Sequence, residues 1–326
     1  MQLTYRPCFS QKEYIQVFDA CSQNKKDPYD FVEGLVYSKE TAVIMTGRMV
    51  PYNEIVKNPL GFNPIGYWWK PWFYQHVATF LEKPSVTGKT DAQIPQEYVE
   101  TIPLRHYYHR HTRSIFWVCF RLWRLILKEL KNIIPFSDHW LYRLLLGWMT
   151  PPRISIIKLG QTDAIRETYG TKHVAQDMLV PMKKLTESMD CMDDEFSCYP
   201  LWLCPMLLPA VDKGSPAARA LVHPRFENPL DEQVSDTIPE QMFVDIGAYG
   251  APSTPDFNVR HSLPRVESFV LHEARGFQAL YADSYLSRSD FREMFDHRLY
   301  DQVRQKYRMD ESFPEIYDKV SLSARR

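Results

Sequence analysis

Few stretches of this chain combine as many chemically useful side chains as Pro103–Trp117, which reads PLRHYYHRHTRSIFW. Three histidines, three arginines and four aromatic rings fall within it. Alternation predicts a strand for its first half, with Leu104, His106 and Tyr108 on one face and Arg105, Tyr107 and His109 on the other. Thr112 then offers an N-cap to an apolar run, so a helix is expected to start there. Cationic side chains delivered to a helix start suit an anionic or redox-active ligand. The competing reading is a polar strand edge whose arginines only solvate the surface. A metal centre ranks lower: His106 lies off the face shared by His109 and His111, no Cys or carboxylate completes a tetrahedral set, and no H-E-x-x-H pattern occurs.

The elements around this stretch have to position it. At 326 residues there is enough chain for one large or two smaller domains. The formal charge of −1 gives no electrostatic case for nucleic-acid binding. Six cysteines form no C-x-x-C pair, and no N-x-S/T acceptor occurs, which together favour a reducing, cytosol-facing location. Met1 leads directly into strand-like Leu3–Arg6 without a signal peptide, so an upstream domain is expected to be missing. A helix is expected over Glu13–Cys21, then a hairpin of Phe31–Tyr37 and Ala42–Gly47. Trp68, Trp69, Trp72, Phe73 and Tyr74 crowd the entry to a helix ending near Leu81, a cluster that suits core or interface packing. Gly88-Lys89-Thr90 is not a P-loop, because Lys83 stands where the first glycine is needed.

Val118–Lys131 has a helical pattern with a basic stripe of Arg121, Arg124, Lys128 and Lys131. Such a helix can lie in a membrane interface, or pack on its own domain with the stripe in water. Trp140–Met149 follows as a second apolar segment, and neither is long enough to span a bilayer. Farther on, strands are expected at His173–Pro181, Cys198–Pro205, Phe243–Gly250 and Phe277–Asp283. Helices are expected over Met182–Met192 and Leu263–His272, with 209–240 as a long loop. That succession predicts an α+β chain with a split βαβ, ferredoxin-like sheet.

Several blocks carry a resemblance: Val32–Leu35, Lys70–Phe73, Arg105–Trp117, Gln176–Lys183, Asp245–Gly250, Leu280–Asp283 and Phe313–Lys319. In residues and order the chain resembles the Δ24-sterol reductase (seladin, diminuto) family along nearly its whole length. The resemblance implies a vanillyl-alcohol-oxidase-type flavoprotein fold: an FAD-binding domain, a ferredoxin-like cap and a C-terminal segment returning toward the flavin. The division it implies is 1–50 for the end of the FAD domain, 51–260 for the cap and 261–326 for the returning segment. The main FAD domain and a membrane segment would be absent, and 118–131 would be an insertion.

The chemistry implied is FAD-dependent reduction of the Δ24 side-chain double bond of sterols, with NADPH as ultimate reductant. An isolated alkene is a poor hydride acceptor, so protonation at one carbon and hydride transfer from the flavin to the other is the expected route. That route needs an acid, an apolar pocket and aromatic faces. Related oxidases acting on polar substrates carry charged residues on the strand where this chain has Trp202 and Cys204, and the exchange suits a sterol. Tyr281 and Asp283 are the candidate acid or positioning residues, Trp202, Cys204 and Tyr249 the substrate lining, and His109 and Arg110 the groups facing the flavin or a phosphate. Against these stand ordinary roles: strand-end packing for the tyrosines, a helix cap for Asp283, core for Trp202. The expected partners are a sterol and a membrane, not nucleic acid, with a homo-oligomer left open. The expected location is the cytosol-facing endoplasmic reticulum membrane. The alternative is a non-catalytic fragment that binds sterol, membrane or protein.

Overall fold

A computed structural model describes residues 1–53, 61–82, 97–112, 139–149, 170–222, 236–252, 254, 256–309 and 312–322. The basic helix expected at 118–131 and the P-loop-like triplet at 88–90 lie outside these residues. The chain divides into two compact units. The first is Met1–Val174 with Cys198–Trp202 and Tyr249–Pro252, and the second is Ala175–Ser197, Leu203–Ala248 and Ser253–Arg326.

In the first unit, strand β1 (Gln2–Cys8) leads to helix α1 (Gln11–Ser22), strands β2 (Phe31–Val36) and β3 (Ala42–Arg48), helix α2 (Phe73–Glu82) and strand β4 (Tyr98–Thr101). Ser10 caps α1 by accepting from the Glu13 N–H. The hairpin is closed by Ser38 and Thr41, as the short polar link between two apolar runs predicts. The strands lie in the order β2-β3-β1-β4, with β3 and β4 both antiparallel to β1. Leu3, Tyr5, Val43 and Met45 point to one face and pack with Phe73, Val77 and Phe80 of α2. The intervening Ala42 and Ile44 are fully buried too, so β3 is apolar on both faces.

Two short helices follow in the first unit, α3 (Leu104–Tyr108) and α4 (Trp140–Leu146). The first corrects the expectation of a strand at 104–109. Pro103, with φ at −55°, occupies the N-cap position. The next side chains pay no heavy helix penalty, and Tyr107 fits the core while Arg110 reaches a buried carboxylate. A one-turn helix satisfies both contacts, and tertiary partners overrule the alternation.

The second unit contains β5 (Val174–Pro181), α5 (Leu185–Glu195), β6 (Leu201–Leu208), the short pair β7 (Val211–Asp212) and β8 (Thr237–Ile238), β9 (Gln241–Gly250), α6 (Val259–Phe269) and β10 (Phe277–Gln278). Three helices close it: α7 (Arg288–Met294), α8 (Arg298–Lys306) and α9 (Ile316–Val320). The order β10-β5-β9-β6 is the 4-1-3-2 arrangement of a split βαβ unit, with α5 and α6 packed together. Met178, Val180, Leu203, Val244, Ile246 and Ala248 are inaccessible, so alternation assigns Asp177, Cys204 and Asp245 to the opposite face. The strand expected over Phe277–Asp283 stops at Gln278 and turns at Leu280–Tyr281.

Candidate functional site

Glu33 is the one charged residue in an otherwise apolar β2, and it is 2% exposed. A carboxylate in that position must be neutralised and fully hydrogen-bonded. Tyr107 Oη donates to Oε1 at 3.0 Å. Arg110 forks onto it, Nε to Oε1 at 3.0 Å and Nη2 to Oε2 at 2.7 Å. Trp202 Nε1 adds a bond to Oε2 at 2.9 Å. The Arg110 guanidinium also lies 4.0 Å from the centre of the Tyr107 ring. Burial alone would raise the Glu33 pKa, but Arg110 and His111 hold the carboxyl well below the usual range. His111, buried with Nε2 3.8 Å from Glu33, has its pKa lowered because burial outweighs the carboxylate. Its ring meets Trp202 edge-on at 4.9 Å and Phe73 at 5.5 Å.

Beside this centre, α3 and the residues after it form one wall of a cleft of about 410 Å³. Helical spacing brings Arg105, His106, His109 and Arg110 to it, against Tyr67, Trp72 and Phe73. Gly66 lets the loop approach: its N–H donates to His106 Nδ1 at 3.3 Å, and a Cβ there would fall 2.9 Å from the imidazole. Among the described residues no carboxylate lines the cleft. All three Arg110 nitrogens are turned to Glu33 and to the Tyr107 carbonyl. Among the described residues, the side chains that a bound anion would meet at the rim are therefore the exposed Arg105 and His109. Aromatic walls with cationic donors fit an anionic group carrying a planar ring system, as a dinucleotide cofactor does.

A second polar centre closes the same unit. Glu100 of β4 accepts from Tyr5 Oη at 3.2 Å and Asn63 Nδ2 at 3.1 Å, and pairs with His76 Nε2 at 2.8 Å. Lys70 Nζ donates to Asn63 Oδ1 at 2.6 Å. Burial opposes ionisation of Glu100, yet His76 and Asn63 keep its pKa below the ordinary value.

Of the residues singled out in the sequence, Arg110 and Trp202 meet on Glu33, and His109 lines the cleft with Nδ1 3.3 Å from Thr112 Oγ1. Cys204 and Tyr249 are half-buried on β6 and β9. Tyr281, 62% exposed, and Asp283 follow β10 in the second unit, where the Asp283 carbonyl accepts from Gln176 and Gln278. The cap of α7 is Ser287, not Asp283. Glu33 and Tyr107 had no assigned role in the sequence, and His111 only the lower-ranked metal reading; a lone Glu in an apolar strand was the available signal. Two further carboxyls appear only in the fold. Burial, with Asp177 adding to it, pushes Asp245 up to about 7. Burial likewise pushes Glu267 up to about 7, against bonds from the Tyr285 N–H at 2.9 Å and Ser284 Oγ at 3.2 Å.

Fold and site together define an α+β protein with a cleft suited to an anionic cofactor or ligand. No family model matches the chain. It is 42% identical over 325 residues to the Delta(24)-sterol reductase of Homo sapiens, covering 100% of this chain and 54% of that protein. The Delta(24)-sterol reductase homolog of Caenorhabditis elegans is 37% identical over 330 residues, with the same coverage of both chains. The Arabidopsis thaliana Delta(24)-sterol reductase is 37% identical over 328 residues, covering 98% of this chain and 53% of its own. Along its whole length the chain matches a portion of the Δ24-sterol reductase family, whose members are oxidoreductases by name. It spans about half the length of these relatives.

Proposed function

We propose that this chain is the substrate-side and cofactor-closing part of an FAD-dependent Δ24-sterol reductase, with NADPH as electron donor. The observation that carries the reading is homology at 36–42% identity along nearly all of the chain. FAD, when bound, supplies hydride to one carbon of the side-chain double bond. The residues of this chain have the complementary tasks. Arg105 and His109 hold an anionic part of the cofactor at the rim of the cleft, against Tyr67 and Trp72. The Glu33–Arg110 pair fixes the Trp202 indole through its N–H. Trp202, Cys204 and Tyr249 give the sterol side chain an uncharged surface, and aromatic faces favour cationic character at a tertiary carbon. Tyr281 and Asp283 deliver or orient the proton that goes to the other carbon. The proposed setting is the cytosolic face of the endoplasmic reticulum membrane. Among the described residues no helix is long and apolar enough to cross a bilayer.

The test joins this chain to the remaining half of a relative and assays conversion of a Δ24 sterol with NADPH and FAD. Turnover by the parent hybrid is expected. Tyr281→Phe, which keeps the ring, is expected to lower kcat about 10²-fold without changing flavin content, and Asp283→Asn to act similarly if the carboxyl is the proton source. Parent-like rates in both variants would move the acid elsewhere, and His109 would be tested next.

A further inference from the structure

Three buried polar side chains of the second unit converge on the segment Ala279–Tyr285. Gln176 of β5, Gln278 of β10 and Glu267 of α6 are each at most 4% exposed. The segment is entered through a ladder bond, from the Ala279 N–H to the Asp177 carbonyl at 3.0 Å. Gln176 Nε2 and Gln278 Nε2 then both donate to the Asp283 carbonyl, at 3.1 and 3.2 Å, and Gln278 Nε2 also donates to Gln176 Oε1 at 2.9 Å. One residue on, the Ser284 N–H donates to the Val320 carbonyl at 3.1 Å, and the Ser284 carbonyl accepts from the Leu322 N–H at 3.0 Å. Glu267 closes the frame, accepting from Ser284 Oγ at 3.2 Å and from the Tyr285 N–H at 2.9 Å. Between these anchors the chain turns at Leu280–Tyr281, and Tyr281 stands 62% exposed.

Stability alone is a poor reason for this arrangement. Taking two amides and a carboxyl out of water is costly, and their hydrogen bonds leave only a small net gain. Burial even holds the Glu267 proton up to about 7. The turn that these groups hold adds little, because an exposed ring removes little apolar area from water. Apolar side chains would hold a turn at lower cost. What a buried polar network does better than apolar packing is to fix one backbone geometry, since each bond is directional. The exposed side chains at the tip of such a frame are then presented at a set place. We infer that Gln176, Gln278 and Glu267 are positioning residues, which hold the Leu280–Asp283 turn so that Tyr281 and Asp283 meet the sterol in one geometry. This inference rests on the sterol-reductase reading, which gives the proton to those two residues.

The test changes both glutamines at once. Gln176→Met with Gln278→Met keeps their bulk, removes both donors to the Asp283 carbonyl and leaves neither amide without the other. In the whole chain, hydrogen exchange over Ala279–Tyr285 is expected to quicken at least about tenfold, while exchange in α5 and β9 stays as in the parent. In the hybrid with a relative's remaining half, the pair is expected to lower kcat about tenfold with the KM for sterol unchanged. The pair is then made in whichever of the Tyr281→Phe and Asp283→Asn backgrounds has lost turnover. There it is expected to cost less than about twofold more, since the group it positions is already gone. Should the pair not fold, Ser284→Ala, which removes one donor to Glu267, is measured in the same ways, with smaller changes expected in the same directions. Unchanged exchange, or an equal fall in kcat in both backgrounds, would overturn the inference and leave the reductase reading standing. A flavin-loaded parent hybrid that forms no product would overturn the reductase reading and the inference with it. Parent-like turnover of both Tyr281→Phe and Asp283→Asn would remove the acid assignment, and the inference would fall with that assignment alone.

Discussion

Glu33 shows how a buried charge can be held by its partners and so kept from reacting. Its carboxylate has two Arg110 bonds and one each from Tyr107 and Trp202, so it cannot act as a base without breaking that set. Its depressed pKa contributes stability that is complete above the unfolded value near 4 and lost as pH falls through the folded one. Glu33→Gln keeps the shape but leaves the Arg110 charge buried without compensation, and is expected to cost about 3–5 kcal/mol in urea denaturation. Replacing both partners by Leu and Met is expected to recover much of that; parent-like stability of the single variant would contradict the assignment. Asp245 and Glu267 behave in the opposite sense. Both carboxyls sit at about 7 in the fold against about 4 unfolded, so the native chain holds protons that the unfolded chain has released. Stability from these groups is therefore present below pH about 4 and lost as pH rises toward about 7. Asp245→Asn and Glu267→Gln are each expected to flatten the fall in unfolding free energy between about pH 4 and 7, by on the order of 2–4 kcal/mol. An unchanged slope would mean the carboxyls are ionised in the fold. The sequence held a clue to Glu33, a charge among apolar strand residues. It held none for Glu267, whose burial depends on Ser284 and Tyr285 arriving from a later loop.

At the scale of elements, the strands and helices of both units were mostly legible, because apolar periodicity and caps are local signals. The α1 cap at Ser10 and the alternating β9 are examples. Residues 104–108 were not legible, since Leu-Arg-His-Tyr-Tyr alternates as well as it turns, and the choice is made by Glu33 some 70 positions earlier in the chain. The short β10 was overextended for a similar reason. Its apolar pattern continues past Gln278, but Arg275 at φ +57° and Gly276 set its start, and Gln176 and Gln278 tie off its end on the Asp283 carbonyl. Two glycines give contrasting expectations. A Cβ on Gly276 would fall 2.3 Å from the Leu179 carbonyl of the paired β5, a backbone atom that cannot move aside. Gly276→Ala is expected to cost about 3 kcal/mol or more in thermal or chemical denaturation. At Gly66 the obstacle is the imidazole of His106, which can rotate, so Gly66→Ala is expected to cost only about 1 kcal/mol while disturbing the cleft. Equal costs at the two sites would show that β10 is not held at this register.

For the whole molecule, each unit reads β-α-β-β-α-β and each places its strands as fourth, first, third and second. That order follows from helical crossovers between strands that flank a third, and the second unit's copy was legible in the spacing of its elements. The first unit's copy was obscured by the long interval between α2 and β4 and by the brevity of β4. The candidate site was legible in composition, through Arg105–Thr112 and Trp202, rather than in geometry. We propose that this chain completes a flavin enzyme acting on a Δ24 sterol. That proposal is tested most directly by one anaerobic experiment on the hybrid with a relative's remaining half. The hybrid is reduced with NADPH, freed of excess nucleotide, and mixed with a Δ24 sterol while the visible absorbance of its FAD and the sterol product are followed. The expected result is recovery of the oxidised-flavin absorbance with one saturated side chain formed per flavin. A folded, flavin-loaded hybrid that stays reduced in the presence of the sterol would contradict it.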